Sequence, residues 1–151
     1  MQNHDTPHDA LQRVVQLFNH LQPSDLQRLD QFYTADAQFK DPFNEVRGLS
    51  AIQGIFEHMY ASLDAPRFVV TQQVLQGTHA FVTWDFLFSI RKYQPQVVQT
   101  IRGATHFVLR EEQGVWRVAV HRDYWDAAEE LYEKLPVVGS VMRWLKQRVN
   151  A

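Results

Sequence analysis

Apolar residues recur at helical spacing in three segments of the N-terminal half. In the first segment, Thr6 and Pro7 are suited to the N-cap and first position of a helix that ends before Pro23. Ser24 is suited to cap a second helix, and Gly48 precedes a third. The inward-facing positions predicted for the three helices are Leu11, Val14, Val15, Phe18 and Leu21, then Leu26, Leu29 and Phe32, then Ile52, Ile55, Phe56, Met59, Tyr60 and Leu63.

The apolar period changes from about 3.6 to 2 after Pro66, which is typical of strands. A short strand is also expected at 37–41, where Pro42 ends its pairing. Consecutive strands with short connections pair in antiparallel fashion. The sequence therefore predicts an α+β domain, in which helices cover one face of a curved antiparallel sheet and a helical tail follows. The four long strands are predicted at Phe68–Gln76, Ala80–Lys92, Val97–Arg110 and Val115–Tyr124.

Length and composition indicate one globular domain spanning residues 1–151, with residues 1–5 frayed. Hydrophobic residues make up 45% of the 151 positions, and the net charge is −2. A nucleic-acid-binding domain usually has a basic excess, which this chain lacks. With no cysteine, disulfides, thiol nucleophiles and thiolate metal sites are excluded. No apolar run reaches about 18 residues and the N-terminus lacks a signal-peptide pattern, so we expect a cytoplasmic protein.

Residues 137–149 form an amphipathic segment after Pro136, with basic charge from Arg143, Lys146 and Arg148. Such a segment can lie on an anionic membrane surface. Alternatively it packs on its own domain or in a dimer interface. Because proline fixes its own φ and restricts the residue before it, Pro136 favours a defined change of direction and therefore the packed arrangement.

Three segments resemble the SnoaL-like branch of the nuclear transport factor 2-like superfamily. Phe32–Pro42 is similar to the pattern YADDAxFxDP, Gly48–Ile52 to the helix start GxxAI, and His121–Asp126 to the strand end HRDYFD. The resemblance implies a cone, in which the sheet wraps around the long helices and encloses a pocket. Members include ketosteroid isomerases, limonene epoxide hydrolase, scytalone dehydratase and polyketide cyclases, whereas others only bind ligands or proteins. The fold therefore leaves the function open.

Asp41 is the first candidate catalytic residue. The resemblance implies that it matches the base of ketosteroid isomerases, and apolar neighbours such as Phe43 would raise its pKa towards neutrality. An Asp before Pro is also a common turn former, so a structural role stays open. Leu17 and Thr105 stand where the isomerases have the Tyr and Asp of their oxyanion hole, which argues against ketosteroid isomerisation.

His121 and Asp123 form the second candidate. They are two residues apart on a predicted strand and therefore share a face, where they could act as an acid–base pair. The alternative is a polar pair that only satisfies the strand end. Asp123 also resembles a catalytic Asp of limonene epoxide hydrolase. Asp85 could match another Asp of that enzyme, but Thr83 replaces its Arg, so the water-activating set would be incomplete.

Other residues are candidates for ligand contact. Because His106 follows Thr105 on one strand, only one of the two can face inward. No metal site is predicted, since His121 and Asp123 supply two ligands without an evident third. Motifs that bind nucleotide phosphates are absent, and no cofactor is predicted. The ligand-binding candidates are Phe43, Trp84, Asp85, Thr105, His106 and Trp125.

The sequence thus predicts a pocket protein for a small hydrophobic molecule. As an enzyme, it would isomerise, dehydrate, cyclise or hydrate that molecule, with Asp41 as base and His121 with Asp123 as a proton relay. The alternative is a non-catalytic ligand-binding or protein-interaction module. A homodimer is expected, because the exposed side of such sheets often pairs.

Overall fold

The computed structural model describes residues 3–90, 94–126 and 147–148. It confirms the predicted α+β class and adds a short strand that the pattern did not predict. The predicted amphipathic segment 137–149 lies outside the described residues, apart from residues 147–148. None of the helices within the described part of the chain is long and apolar enough to cross a membrane. In chain order the elements are α1 Pro7–Asn19, a 3₁₀ segment Pro23–Gln31, β1 Tyr33–Lys40, β2 Glu45–Arg47, α2 Leu49–Ser62, β3 Asp64–Gln76, β4 His79–Ile90, β5 Gln94–Glu112 and β6 Val115–Tyr124.

Helix α1 begins as its sequence predicts. Thr6 accepts a hydrogen bond from the Asp9 backbone N–H (3.2 Å), and the Asp9 carboxylate accepts one from the Thr6 N–H (3.0 Å). Asp5, in the segment expected to be frayed, is held by Arg13 (2.7 Å) and by the Trp116 backbone N–H (2.8 Å). These contacts hold the N-terminal segment against Trp116 on β6.

The predicted second helix is a 3₁₀ segment, and Ser24 does not cap it. Its N-cap is Gln22, whose backbone N–H donates to the Asp25 carboxylate (2.9 Å). Non-helical dihedral angles at Arg28 interrupt the segment. It nevertheless buries Leu26 and Leu29, as the apolar spacing predicted.

Six strands form one mixed sheet in the order β2-β1-β6-β5-β4-β3. The predicted meander from β3 to β6 is antiparallel. In contrast, β1 pairs with β6 in parallel, with Phe39 opposite His121, which the long connection between the two strands permits. The unpredicted β2 pairs with β1, and the two edge strands β2 and β3 do not meet, so the sheet is not closed.

The ring of Phe18 on α1 shows how strongly the sheet curves. It lies 5.6 Å from the Phe68 ring on β3, 6.5 Å from Phe107 on β5 and 5.7 Å from His121 on β6. In a flat sheet β3 and β6 would be three spacings, or about 14 Å, apart. Both strands reach one side chain because the sheet wraps around α1.

Strand alternation divides the sheet into an inner and an outer face. On β4, Val82 and Trp84 face inward and are 3% and 6% exposed, whereas Phe81 faces outward and is 50% exposed. The inner face packs against α1 and α2. A polar side chain buried on that face needs hydrogen-bond partners within the protein.

Candidate functional site

The inner face of the sheet and α2 border a cavity of about 330 Å³, called here the main cavity. Two carboxylates, Asp41 and Asp123, line it. A second cavity of about 30 Å³, the small cavity, adjoins it and is also lined by Asp123, together with Thr105 and His121. The main cavity is otherwise largely aromatic, with the rings of Phe39, Phe43, Phe56, Phe68, Trp84, Phe86, Phe88 and Trp125.

A chain of hydrogen bonds joins five inward-facing side chains at the base of these cavities. The Tyr33 hydroxyl lies 2.7 Å from Nδ1 of His121, whose Nε2 lies 2.8 Å from Oδ1 of Asp123. The same Oδ1 accepts from the Thr105 hydroxyl (2.5 Å), and Thr105 accepts from Nε1 of Trp84 (2.8 Å). These hydrogen bonds therefore link side chains from four adjacent strands, β1, β6, β5 and β4.

The direction of these bonds follows from donor chemistry. The indole of Trp84 can only donate, so the Thr105 proton is directed to Asp123. At the other end, burial and then the charge of Asp123 hold the pKa of Tyr33 well above its ordinary value, so its hydroxyl stays protonated. Both ends therefore donate towards Oδ1 of Asp123. Oδ2 of Asp123 accepts no hydrogen bond from the described residues, and Asp123 is one of the residues that line the main cavity.

Asp41 has a different environment. It lies in the β1–β2 loop, where Oδ1 accepts from the backbone N–H groups of Phe43 (2.7 Å) and Asn44 (2.6 Å). The turn-forming role is therefore real, but the same carboxylate also lines the main cavity. Burial raises its pKa; the hydrogen bonds from Asn44 and Phe43 oppose that rise, and the charge of Asp123 adds to it. Oδ2 has one described donor, the Asn44 side chain at 3.1 Å.

Most of the predicted site residues come together. Phe43, Trp84 and Trp125 line the main cavity. Phe43 in the β1–β2 loop and Trp125 after β6 are in edge-to-face contact, with ring centroids 5.3 Å apart. Thr105 and His121 line the small cavity instead, so they contribute to the site mainly through Asp123.

Asp85 and His106 do not join this site. Asp85 pairs with Arg102 and faces away from Trp84, its neighbour on β4. His106 stacks on Phe81 on the outer face, with ring centroids 4.4 Å apart. Strand parity is the reason in both cases, because each is adjacent in sequence to an inward-facing residue.

Two important residues were not identified from the sequence. Tyr33 lies in the segment that carried the family resemblance, but nothing in its spacing connects it with His121. Gly103 faces Trp84, and a Cβ at this position would lie 2.4 Å from the indole ring. A glycine inside a long strand is a sequence signal for such close approach, so Gly103 could have been found.

Arg148 contributes to the wall of the main cavity from outside the sheet. Its guanidinium donates to Oδ1 of Asn44 (3.2 Å) and lies 3.0 Å from Nε2 of His58 on α2. It therefore bridges the β1–β2 loop and α2 beside the cavity. Among the described residues, no group of three or more His, Asp or Glu side chains is arranged to hold a metal ion.

Comparison with protein families identifies the fold. The SnoaL-like domain matches residues 14–121. The chain belongs to the SnoaL-like family. Residues 14–121 include the second half of α1, the 3₁₀ segment, α2 and the inner-face residues up to His121, so the match covers most of the scaffold of the candidate site. A comparison with curated protein sequences gave no match.

Solved structures share this fold at low sequence identity. A protein with a ketosteroid isomerase-like fold from Catenulispora acidiphila, in complex with trimethylamine, is 17% identical with a TM-score of 0.65, covering 84% of this chain and 92% of that one. An LEH-like epoxide hydrolase from M. tuberculosis is 17% identical with a TM-score of 0.65, covering 91% and 96%. A candidate SnoaL-like polyketide cyclase from Shewanella putrefaciens is 19% identical with a TM-score of 0.64, covering 83% and 97%.

Proposed function

We propose that this protein binds a small, largely apolar molecule in the main cavity and transfers a proton on it by general acid–base catalysis. The observation that carries this proposal is the pair Asp41 and Asp123, two carboxylates in different surroundings on the wall of one aromatic cavity. Carboxylates with different environments in one cavity are suited to different roles in proton transfer.

Asp41 is the proposed base. Its raised pKa favours proton uptake, and Oδ2, with one described donor, is its less engaged oxygen. It removes a proton from one atom of the bound molecule and returns it to another. No proton is then gained or lost overall within the cavity, as in an isomerisation, an elimination or a ring closure.

Asp123 is proposed to bind the proton-donating end of the same molecule through Oδ2. Its other oxygen is held by Thr105 and His121, so the carboxylate is oriented before the ligand arrives. His121 thus supports Asp123, and it lines the small cavity rather than the main one. The sequence predicted that His121 and Asp123 together relay a proton. In the present proposal His121 has a supporting role instead, because its other hydrogen-bond partner is the neutral Tyr33.

The test measures proton exchange at carbon in deuterated water, using a panel of small apolar ketones followed by NMR. Asp41→Asn should lower the exchange rate by roughly 100-fold or more, the usual contribution of a general base. Asp123→Asn should also lower it, whereas Asp85→Asn on the outer face should leave it unchanged. Exchange that persists in Asp41→Asn would contradict the role of Asp41.

The second candidate function is non-catalytic binding of a small molecule. Aromatic rings and carboxylates together suit an organic cation, and the Catenulispora relative was solved with trimethylamine. This candidate predicts that choline binds more tightly than its uncharged carbon isostere, that Asp123→Asn removes the difference, and that no ketone exchanges. Equal affinity for both probes would exclude cation recognition while leaving the acid–base proposal intact.

We also propose a homodimer through the outer face of the sheet. That face exposes apolar side chains from several strands, including Val74 (64%), Phe81 (50%) and Tyr124 (48%). Light scattering should give twice the chain mass, and Phe81→Glu should give the monomer mass. A monomer in the unmodified protein would refute the dimer without affecting the cavity.

A further inference from the structure

Arg148 is a cation on the wall of the main cavity, and it has no part in the proton transfer proposed above. It is exposed to solvent and yet lines the cavity, so it lies at the rim. Among the described residues of that wall it carries the one permanent positive charge, whereas Asp41 and Asp123 supply two carboxylates. A negative charge that develops on a ligand would be repelled by an ionised carboxylate and attracted by this guanidinium.

Two acceptors hold the guanidinium in place. Oδ1 of Asn44 accepts a bond from one terminal nitrogen (3.2 Å), and Nε2 of His58 lies 3.0 Å from the other. Because a guanidinium can only donate, Nε2 of His58 is the acceptor in that contact. Asn44 belongs to the β1–β2 loop and His58 to α2, so Arg148 is oriented by two separate elements. The five N–H donors form a planar fork, which can bond to a ligand oxygen as well as to the protein.

The side-chain amide of Asn44 shows the pattern of contacts that a ligand would need. Its NH2 group lies 3.1 Å from each carboxylate oxygen of Asp41, and its oxygen accepts from Arg148. In that amide, two bonds separate the donor nitrogen from the acceptor oxygen. Two bonds also separate the α-carbon of a ketone from its carbonyl oxygen. A ketone that lies alongside the amide can therefore present an α-hydrogen to Asp41 and its oxygen to Arg148.

We propose that Arg148 is a catalytic residue that binds the carbonyl oxygen of the ligand, and that the substrate is therefore an apolar carbonyl compound with a hydrogen on the adjacent carbon. This inference rests on the proposed function, in which Asp41 is the base. When Asp41 takes the α-proton, the electron pair of the C–H bond forms a C=C bond, and the π pair of the carbonyl moves to the oxygen. Arg148 stabilises this enolate oxygen, and the pair returns when Asp41 delivers the proton to carbon.

The first experiment measures binding and needs no turnover. The probe is 4-nitrophenol, an aromatic ring whose oxygen is neutral or negative, and its absorbance reports which form is bound. Arg148→Gln should weaken binding of the ionised form by roughly 10-fold, and so raise the pH at which the bound probe ionises by about one unit. Binding of 4-nitrotoluene, which has no ionisable oxygen, should not change. Because Arg148 is exposed, the variant should fold.

The second experiment measures ketone exchange in deuterated water with the same variant. Removing a donor from an oxyanion site lowers kcat by about 10²–10³-fold, and we expect a smaller loss of roughly 10-fold because Arg148 is exposed. KM should change little, since the charge on the oxygen develops only in the transition state. Arg148→Lys, which keeps the charge without the planar fork, should retain part of the rate.

Arg47→Gln is the matched control in both experiments. Arg47 lies on β2, is exposed and is not among the described residues that line the main cavity, so its replacement removes one positive charge away from the ligand. It should change neither the ionisation of bound 4-nitrophenol nor the exchange rate.

Three results would overturn the inference. They are a failure of the unmodified protein to bind the ionised probe, an unchanged ionisation of the bound probe in Arg148→Gln, and an equal loss of affinity for both probes, which would mean that Arg148 only shapes the cavity. If Arg148→Gln weakens the ionised probe alone while the unmodified protein exchanges no ketone, the oxygen-binding role stands and the proposed function fails. If exchange requires Asp41 but is unchanged in Arg148→Gln, the proposed function stands and this inference fails.

Discussion

His106 and His121 lie on neighbouring strands of one sheet but in opposite environments. His121 faces inward, is 3% exposed, and uses both ring nitrogens in bonds to Tyr33 and Asp123. His106 faces outward, stacks on Phe81 and shares a 2.9 Å contact with Nδ1 of His79. In the β5–β6 register His121 pairs with Phe107, one residue beyond His106. Adjacent positions on a strand therefore place a side chain either in the hydrogen-bonded network beside the cavities or in the cluster of rings on the outer face.

The contrast between the two faces has a physical basis. On the inner face, buried polar groups such as His121 bond within the protein, which fixes their orientation. On the outer face, solvent screens charges and can replace lost partners. Substitutions of the same type should therefore have large effects on the inner face and small effects on the outer face.

The largest difference is expected between Phe107→Ala and Phe81→Ala. Phe107 is 2% exposed and contacts Phe18 and His121, so its loss should lower the free energy of unfolding by about 3–5 kcal/mol. Phe81 is half exposed in the single chain, so its truncation should cost less than about 1 kcal/mol in a sample diluted to the monomer. Urea unfolding of both variants in that sample measures the difference. Equal losses there would contradict the contrast between the two faces.

A smaller but more local effect is expected at Gly103. Its Cα faces the Trp84 ring so closely that Gly103→Ala must displace the indole, and overpacking of this kind costs about 1–3 kcal/mol. The displacement should also break the Trp84–Thr105 bond, seen as a change in the indole N–H signal. Gly54→Ala is the control, since a methyl group there meets nothing within 4 Å, and it should stabilise α2 slightly. A stable Gly103→Ala with an unchanged indole signal would contradict this close packing.

The smallest effect concerns pH and the outer face. Burial, followed by His79 and Arg122, lowers the pKa of His106 below its ordinary value of 6.5. The unfolded chain therefore binds this proton first, and the free energy of unfolding should fall as the pH drops from about 6.5 towards the lowered pKa. His106→Gln should flatten that part of the stability curve. An identical slope in the variant would show that His106 contributes nothing there.

The comparison also explains what could be predicted from the sequence. Helices and the β3–β6 meander were predictable because their apolar spacing and turn residues are local. The inward orientation of His121 and Asp123 came from the family resemblance, whereas parity alone left the two faces equivalent. The bond between Tyr33 and His121 depends on the parallel pairing of β1 with β6, which joins residues 88 positions apart. No local pattern contains that information.

Asp41 also shows a limit of prediction from local sequence. The sequence supports both a turn-forming and a catalytic interpretation of this residue. In the fold the two are compatible, because the loop that the carboxylate closes is itself part of the cavity wall. The local sequence around Asp41 does not show that Asp123 lies on the same wall.

The central claim is that Asp41 and Asp123 act within one cavity, and the most direct test is a carbon-detected NMR titration of the Asp41 carboxyl. The account predicts a midpoint above the ordinary value of 3.8, caused first by burial and increased by the charge of Asp123. In Asp123→Asn, the midpoint should move down, whereas Asp85→Asn should leave it unchanged. A midpoint at the ordinary value, or one that is insensitive to Asp123→Asn, would contradict the shared site.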